Sequence, residues 1–421
     1  MKFNGENPMQ RQRKDVISLS MLHAMLHAGN AIYMAFIPLF LVDLNFDPAQ
    51  RGVLMSIGPF VAMLTQTMWG SVSDRAKNKV RVVYIMALGV MVSMAGFLLA
   101  GKLPSYATVF VATAMMMYAF FQTPIMPVLD TVTMEYIHKE RPRIPYGVIR
   151  TMGTIAYVVA ALVIGRIVDA SDMGVSIAFY IYLIFLAVMI VAALVAPPIA
   201  GTQREKQKAS VVELLKDKWF VLLIMIAFVA GTANGFHSSN FVNYLRDSLG
   251  ADESMVGFAT SMSAELEIFI FIIIHKITKK TGIINLVLMC IIAGLLRWFC
   301  TGTITSVPVL IMVQLLFHPL ACPILIYVMA VYIQKAVPDQ LHARGQVVVS
   351  LVMTSIGRIV GSLGGGWLLG KWGMGSEPYV YFILTAATAV LLVFVVVMFW
   401  RYGWRPNREP DALRLEEDTV I

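Results

Sequence analysis

The sequence predicts an all-α membrane protein in which twelve transmembrane helices form two pseudo-symmetric halves of six helices each. Three observations predict this class: the composition, the number of long apolar runs and a repeat between the two halves of the chain. Of the 421 residues, 58% are hydrophobic and only 14% are charged, and the mean hydropathy is +0.74. Soluble globular domains contain roughly 25% charged residues, so an ordinary soluble enzyme is excluded.

Apolar runs long enough to span a bilayer occur twelve times along the chain. A spanning helix needs about 20 mostly apolar residues, because its backbone must satisfy its own hydrogen bonds in lipid. The runs cover residues 17–42, 50–72, 81–101, 105–129, 145–168, 176–197, 219–245, 254–275, 283–301, 307–333, 345–370 and 378–400. The number of runs is even, so both chain termini are expected on the same side of the membrane.

Lysines and arginines indicate which side that is, because basic loops stay in the cytoplasm. With the N-terminus inside, 25 of the 33 basic residues fall in cytoplasmic tails and loops and five fall outside. Both termini are therefore predicted to be cytoplasmic, and the short loops favour the bacterial inner membrane. The basic N-terminus has no small-residue cleavage site, so a removable signal peptide is not expected.

The domain order follows from the same pattern. An N-terminal six-helix bundle is predicted at 1–197, a cytoplasmic linker at 198–218, a C-terminal six-helix bundle at 219–400 and a cytoplasmic tail at 401–421. The net charge of +8 is spread over short loops rather than gathered in one patch, so nucleic acid is not an expected partner.

The two bundles repeat each other in sequence. Asn30 precedes Asp43 by the same distance as Asn234 precedes Asp247, each pair at the end of the first helix of its half. A glycine then opens each second helix, and a basic loop follows it. Internal repeats of this kind are typical of transporters in which a site between two halves opens alternately to each side.

Several motifs follow one another along residues 20–400. A loop motif, GSVSDRAKNK, lies at 70–79, PVLD closes the fourth run at 127–130, and YGVIRTMG opens the fifth at 146–153. The set continues in the second half with Glu267, Arg297, Trp298, Gln314, His318, Gly345 and Gln346. This ordered set resembles the major facilitator superfamily, in particular its lactose-permease-like and phenylpropionate-permease-like proton symporters. The loop motif departs from the superfamily form with Lys77 where a glycine is typical and Asn78 where a basic residue is typical.

The resemblance implies roles for individual residues. Asp130 and Arg150 occupy the positions of the substrate-binding acid and arginine. Proton coupling is assigned to Glu267, Arg297 and His318, and an inter-helix latch between helices 2 and 11 is assigned to Gly70, Asp74 and Arg75. Ala321 stands where the lactose-permease-like pattern has a proton-carrying glutamate, so another group must carry the proton if the transport is coupled.

Charged residues inside the spans indicate an aqueous cavity, because each costs about 2.5–3.5 kcal/mol at mid-membrane. Glu265 and Glu267 project in different directions from one helix, and Glu267 is the expected cavity residue, with Glu265 at a helix contact. Arg358 lies deep in the eleventh run. It either pairs with Glu265 or a backbone carbonyl, or it binds a substrate carboxylate.

Polar stripes on the first helix of each half are predicted to line this cavity. Asn30, Asn234 and His237 are predicted to bind substrate together with Asp130, Arg150 and Arg358. His23 and His27 share a helix face with Asn30, and two histidines at this spacing can bind zinc. No third ligand or HExxH motif accompanies them, so neither a metal site nor a cofactor is predicted.

The sequence therefore predicts a secondary active transporter that couples protons to the symport of a small polar or anionic organic solute of the aromatic acid, sugar or nucleoside class. Its expected partners are the solute, protons and the lipid bilayer, and it is expected to function as a monomer. The alternatives are a proton-antiporting efflux pump, an uncoupled facilitator, a membrane enzyme using His23 and His27, and a protein that binds ligand without net transport.

Overall fold

The structure is a computed structural model that describes residues 8–140, 142, 144–200, 211–337, 341–373 and 375–403. Inside the helices it describes the backbone alone for residues 8, 66–67, 211–213, 260–273, 275–276, 279–280, 335 and 343. The side chains of Glu265 and Glu267 therefore lie outside the described residues. Part of the predicted linker, 201–210, and the predicted tail beyond 403 do so too.

Twelve helical segments follow one another, and no β-strand occurs in the described ranges. They are α1 (Pro8–Asp43), α2 (Pro48–Arg75), α3 (Lys79–Lys102), α4 (Ala107–Gln122 and Ile125–Glu140), α5 (Tyr146–Asp169), α6 (Ser176–Val195), α7 (Lys218–Asn243, continued by a π-helical turn at Tyr244–Ser248), α8 (253–281), α9 (283–303), α10 (Val307–Ala336), α11 (His342–Leu351, a π-helical turn at Val352–Ile356, and Gly357–Trp372) and α12 (Glu377–Tyr402). Only Gly282, with a φ of 75°, separates α8 from α9.

The helices confirm the all-α membrane class. Within the described residues ten are long and apolar enough to cross a membrane, and α2, which is bent by 44°, makes eleven. The remaining predicted run, 254–275, lies in α8, where the structure describes only the backbone of many residues. The order of the helices matches the twelve predicted runs.

The fourth helix extends beyond its predicted end. The apolar run stops at residue 129, but α4 continues to Glu140. The reason is that residues after Asp130 still alternate between buried and exposed faces, with Thr133 and Tyr136 both buried. Asp130 therefore sits within a continuous helix instead of closing it.

The two faces of the bundle differ in how the halves meet. We call the face at which α1 begins and α12 ends the termini face, and the opposite one, which carries the loops 44–47, 170–175 and 249–252, the distal face. One hydrophobic core runs through the first half and includes distal parts of the second half, such as Leu245, Val256 and Leu369. A second core lies entirely within the second half. The apolar contact between the halves is thus concentrated toward the distal face.

Glycines let the two halves approach closely there. A Cβ on Gly366 in α11 would lie 2.7 Å from the Cα of Gly52 in α2. On the other side of the bundle, a Cβ on Gly165 in α5 would lie 2.8 Å from the carbonyl oxygen of Glu253 in α8. Small residues permit close packing of membrane helices, so α2 packs on α11 and α5 packs on α8 with their backbones in contact.

Candidate functional site

The acid and the arginine predicted to bind substrate lie next to each other on α4 and α5. Nε of Arg150 is 3.5 Å from Oδ1 of Asp130. The hydroxyl of Tyr146, one helical turn before Arg150, donates a hydrogen bond to the same carboxylate oxygen at 2.9 Å. Asp130 and Arg150 are each about a quarter exposed, with side-chain exposures of 29% and 25%, so the pair can be reached from a cavity.

His27 joins this pair from α1. Nη1 of Arg150 lies 2.7 Å from Nε2 of His27, and a guanidinium can only donate, so Nε2 is the acceptor. The other ring nitrogen, Nδ1, is 2.8 Å from the backbone carbonyl oxygen of His23, to which it must donate. His27 is therefore held as the neutral Nδ1–H tautomer, and it orients the guanidinium of Arg150.

His23 lies one turn away, fully buried, and contacts α4. The hydroxyl of Thr133 donates to the carbonyl oxygen of Leu129 at 2.9 Å, so Nε2 of His23, 3.0 Å from that hydroxyl, is the donor to it. The other nitrogen, Nδ1, makes no hydrogen bond within the described part of the chain. It is 4.0 Å from Oδ1 of Asp130, so it faces the carboxylate.

A glycine makes this arrangement of α1 and α5 possible. A Cβ on Gly153 would lie 2.7 Å from Nδ1 of His27 and 3.1 Å from the carbonyl oxygen of His23. Any larger residue at position 153 would therefore push α1 away from α5. The contact between His27 and Arg150 depends on that close approach.

Asn30, predicted to bind substrate, is engaged by neighbours from α4. Its Oδ1 accepts hydrogen bonds from Nε2 of Gln122 at 2.7 Å and from the hydroxyl of Tyr118 at 3.3 Å. The ring of Tyr118 in turn stacks on Tyr33, with 3.7 Å between ring centroids. Asn30 thus belongs to a polar cluster one layer closer to the distal face than His27.

A cavity of about 670 Å³ opens beside Asp130 and Tyr146 at the termini face. It is lined by α2, the start of α3, and α4, and its polar lining includes Asp74, Lys79 and Glu135. A volume of this size is typical of small-molecule sites.

The predicted latch residues stand at the same cavity. Asp74 lies 3.8 Å from Nζ of Lys79, Gly70 lines the cavity, and Arg75 is exposed at the end of α2. In this conformation the close contact of α2 with α11 is made at Gly52, near the distal face. The role of Gly70, Asp74 and Arg75 as a latch to α11 stays a prediction for another conformation.

In the second half, Arg297 contacts side chains on α7, α9 and α10. It is 2% exposed, its Nε donates to Oε1 of Gln314 at 2.6 Å, and its Nη1 donates to Oδ1 of Asn234 at 3.3 Å. Its guanidinium also lies over the ring of Trp298, 4.4 Å from the centroid. Nε2 of Gln314 donates to Thr301 at 3.0 Å, which fixes the amide.

His237 and Ala321 occupy neighbouring places in this half. Nδ1 of His237 is 3.1 Å from the hydroxyl of Tyr381, and its ring stacks on Phe241 with 4.2 Å between centroids. Ala321 and Cys322 line a small pocket with Asn234, and Nδ2 of Asn234 donates to Sγ of Cys322 at 3.2 Å. His318 is half-buried in the same helix, α10.

Arg358 differs from the other two arginines of the spans. It is half-buried in α11, and the described residues include no ion-pair or hydrogen-bond partner for its guanidinium. Its backbone packs on α7 of the same half, where a Cβ on Gly235 would lie 2.4 Å from the Arg358 carbonyl oxygen. Two turns further along α11, a Cβ on Gly52 of the other half would lie 3.0 Å from Gly366 Cα, so α11 lies between α7 and the first half.

The polar contacts between the two halves gather at the distal face. Asp169, the last residue of α5, accepts hydrogen bonds from the backbone amides of Glu253 and Ser254, both at 2.9 Å. Nη1 of Arg246 donates to Oδ1 of Asp43 at 3.0 Å. Burial, together with a hydrogen bond to Asp169, raises the pKa of the Glu253 carboxyl. The distal face is therefore closed, while the cavity beside Asp130 opens at the termini face.

No group of three metal-ligating side chains occurs among the residues that the structure describes. The spacing of His23 and His27 is compatible with two zinc ligands. In the structure their rings make hydrogen bonds to different partners, and their ring centroids are 6.4 Å apart.

The sequence matches the model of the MFS_1 like family over residues 16–401. The chain belongs to this family. Since the family and the similar proteins are transporters, the chain is a multi-pass membrane transporter of small solutes and not an enzyme.

Three similar proteins illustrate the range of this family. The uncharacterized transporter YwbF of Bacillus subtilis is 22% identical over 91% of this chain and 94% of its own length. A maltose permease of Geobacillus stearothermophilus is 24% identical over 84% of this chain and 87% of its own. A probable 3-phenylpropionic acid transporter of Escherichia coli K12 is 22% identical over 68% of this chain and 73% of its own.

Solved structures show the same fold. The crystal structure of the nucleoside transporter NupG has a TM-score of 0.79 at 17% identity and covers 91% of this chain and 98% of its own. A peptide transporter POT in complex with alafosfalin has a TM-score of 0.70 at 13% identity, with 95% of this chain and 99% of its own covered. These similarities confirm the predicted major facilitator fold of two six-helix halves.

Sequence reasoning missed part of the site. The sequence predicts that His23 and His27 belong to a polar stripe that lines the pore, whereas the structure places them beside Asp130 and Arg150. The sequence identifies Tyr146 only as part of a motif. The spacing of the two histidines was a signal for a shared helix face. Their partners on α4 and α5 could not be read from spacing, because those contacts span more than a hundred residues.

Proposed function

We propose that this transporter is a proton-coupled symporter that carries a small anionic organic solute, such as an aromatic acid, across the bacterial inner membrane. Its two termini are cytoplasmic in this proposal, so the distal face is extracytoplasmic and the structure is open to the cytoplasm. The bias of basic residues toward the termini face supports this orientation.

The observation that carries the choice of an anionic solute is the guanidinium of Arg358. Arg150 has the counter-ion Asp130, and Arg297 is held by Gln314 and Asn234. Arg358 has no described counter-ion, although an unbalanced charge in the membrane costs about 2.5–3.5 kcal/mol. A solute carboxylate that accepts two hydrogen bonds from the guanidinium would balance it.

The location of Arg358 supports the same role. It lies in α11, the helix that packs on α2 of the other half at Gly366, and the interface between repeats is where transporters with two repeats bind their solute. Of the similar proteins, the probable 3-phenylpropionic acid transporter is named for an acid. The maltose permease and the nucleoside transporter are named for neutral solutes, so these classes are the comparison against which the proposal is tested.

Coupling would follow from charged groups in both halves of the transporter. Asp130 lies beside Arg150 and two histidines, and Glu267, Arg297 and His318 are proposed to contribute from the second half. If a proton and the solute favour the same conformation, each strengthens the binding of the other. A proton gradient then drives accumulation of the solute.

The test is internal pH in proteoliposomes that contain the purified protein and a trapped pH-sensitive dye. 3-Phenylpropionate, maltose and uridine are added in turn, and protein-free liposomes correct for passive entry of the acid. Acidification above that correction with 3-phenylpropionate alone supports the proposal. Acidification with maltose alone or with uridine alone would contradict the proposal that the transported solute is an anion. Uptake of labelled 3-phenylpropionate with no acidification contradicts coupling and would make the protein an uncoupled facilitator, in line with Ala321.

A further inference from the structure

His23 of α1 and Asp130 of α4 lie next to each other. The substrate-binding role predicted for Asp130 does not explain why a buried histidine lies beside it. His23 is 0% exposed, its Nδ1 makes no hydrogen bond in the described structure, and that atom is 4.0 Å from Oδ1 of Asp130. A buried polar atom without a hydrogen bond costs about 1–3 kcal/mol. The burial of this nitrogen therefore destabilises the fold, which indicates a functional role for His23.

The hydrogen bonds around His23 fix which of its nitrogens can accept a proton. Thr133 uses its hydroxyl proton on the carbonyl oxygen of Leu129, so Nε2 of His23 donates to Thr133 and already carries a proton. In the neutral ring Nδ1 then has a lone pair, and this atom lies 4.0 Å from Oδ1 of Asp130. Two electron-rich atoms face each other with room for one proton between them.

His27 cannot take this proton in the same geometry. Its Nε2 accepts from Arg150 at 2.7 Å and its Nδ1 donates to the His23 carbonyl oxygen at 2.8 Å. Both nitrogens are occupied, so protonation of His27 would break its bond to Arg150. Among the two histidines, only His23 can gain a proton without losing a hydrogen bond.

We propose that the pair formed by Nδ1 of His23 and Oδ1 of Asp130 is a proton-binding site. One proton adds to the carboxyl group of Asp130, which donates it to Nδ1 of His23 once the two atoms close from 4.0 Å to hydrogen-bond distance. This site belongs to the first half, whereas the residues expected to couple protons from the sequence, Glu267, Arg297 and His318, belong to the second. The inference rests on the proposed function for its role in transport.

The proton changes the charge balance at Arg150. Among the described residues, the charged and titratable groups in contact with the pair are His27 from α1 and Arg150 and Tyr146 from α5. Asp74, Lys79 and Glu135 line the same cavity as Asp130. Without the proton, the carboxylate of Asp130 is the counter-ion of Arg150 at 3.5 Å, and His23, Asp130 and Arg150 are together neutral. With the proton on the pair, the total charge of these three groups rises by one, which favours binding of a solute anion at the proposed site on Arg358.

Proton binding and anion binding are therefore linked through charge. Linkage is reciprocal, so the solute anion also strengthens binding of the proton. The energetic origin is the attraction between the positive charge added in the first half and the solute anion.

The test is difference infrared spectroscopy of the purified full-length protein during a pH titration without solute. The band of a protonated carboxyl group should be lost in Asp130→Asn. In His23→Gln it should develop only at lower pH, with about tenfold weaker proton binding, which is one pH unit. The matched control is His138→Gln, at an exposed histidine near the end of α4, and it should titrate as the wild type does.

A second measurement on the wild type avoids the risk that His23→Gln fails to fold. With ring-labelled histidine, one histidine band should titrate at the same midpoint as the carboxyl band that Asp130→Asn removes. The proposal is overturned if no histidine band shares that midpoint, or if the carboxyl band of a folded His23→Gln titrates as in the wild type. Neither measurement uses a solute, so failure of the proposed function in the proteoliposome assay is a separate outcome.

Discussion

Asp169 at the end of α5 caps the first turn of α8, because its carboxylate accepts the backbone amide of Glu253 at 2.9 Å and the next amide at the same distance. Carboxylates at helix N-termini are stabilised by the free amides and by the helix dipole. Most such caps act within one folded unit. This one joins the two halves of the transporter, so it contributes to closure of the distal face only.

Removal of this cap should open the distal face. In Asp169→Ala both hydrogen bonds to α8 are lost, which costs the closed conformation about 1–2 kcal/mol and shifts the equilibrium roughly 5- to 30-fold. The measurement is the distance between spin labels at positions 172 and 371 in a cysteine-free background. A long-distance population should grow in the variant.

The matched control for this experiment is Asp47→Ala. Asp47 caps α2 by accepting from the backbone amide of Gln50 at 2.8 Å, entirely within the first half. Its loss should lower thermal stability and leave the distance distribution unchanged. An unchanged distribution in Asp169→Ala would contradict the assignment of this cap to the distal closure.

Closure of the distal face should also be sensitive to one methyl group added where α2 packs on α11. In Gly366→Ala the new Cβ would lie 2.7 Å from the Cα of Gly52 and from the carbonyl oxygen of Pro48. Backbone atoms cannot move aside as a flexible side chain can, so the distal face should be closed less often. The same pair of spin labels should report a longer distance.

Gly364→Ala provides the control, since a Cβ there would meet nothing within 4 Å. Both substitutions add one methyl group to the same helix and change helix propensity alike. Identical distance distributions for the two variants would show that the contact between Gly52 and Gly366 does not limit closure.

Closure of the distal face should also weaken as the pH rises. The folded and closed conformation raises the pKa of Glu253 from its usual value near 4.5, first through burial and then through the hydrogen bond to Asp169. A carboxyl with a raised pKa favours the closed conformation below its ordinary pKa, and this advantage is lost as the pH rises through the raised value. The closed population should therefore fall as the pH rises above the ordinary pKa of a glutamate.

The spin-label distances measured across this pH range test the prediction. Glu253→Gln keeps the size of the side chain and removes its titration, so the pH dependence should shrink or vanish. The neighbouring groups that could also contribute are Asp169, Arg246 and Asp252. A pH dependence that persists in full in Glu253→Gln would assign it to one of them.

Gly153 should prove necessary for the site in the first half. In Gly153→Ala a Cβ would lie 2.7 Å from Nδ1 of His27, so the bond from Arg150 to His27 should be lost and the affinity for 3-phenylpropionate should fall about tenfold, equivalent to 1.4 kcal/mol. Gly147→Ala on the same helix, where a Cβ meets nothing within 4 Å, should bind as the wild type does. Isothermal titration calorimetry of both variants checks this, and equal affinities would contradict the role given to His27.

The helices could be predicted from the sequence because length and hydropathy are local properties. The ranges 81–101 and 176–197 differ from the observed Lys79–Lys102 and Ser176–Val195 by at most two residues at either end. The end of α4 was missed, since the apolar run stops where the helix leaves the predicted membrane region. Its last turns are held by one buried face instead.

The site was only partly predictable, because its contacts join distant parts of the chain. Lys79 counts as a cytoplasmic loop charge in the sequence, yet it is 1% exposed and its Nζ lies 2.7 Å from Oε1 of Glu135. His23 and His27 were visible as a pair on one helix face. Their partners depend on how closely α1 approaches α5, and a single glycine at position 153 sets that distance.

The central claim is that Arg358 binds the anionic group of a solute that enters with protons. The most direct measurement is uptake of labelled 3-phenylpropionate into proteoliposomes under an imposed pH gradient, acid outside, for wild type, Arg358→Gln and Arg166→Gln. Arg166 is an exposed arginine near the end of α5 and serves as the matched control. We predict gradient-driven accumulation in the wild type and in Arg166→Gln, and a loss of at least about tenfold in Arg358→Gln. Equal accumulation by all three proteins would contradict the account.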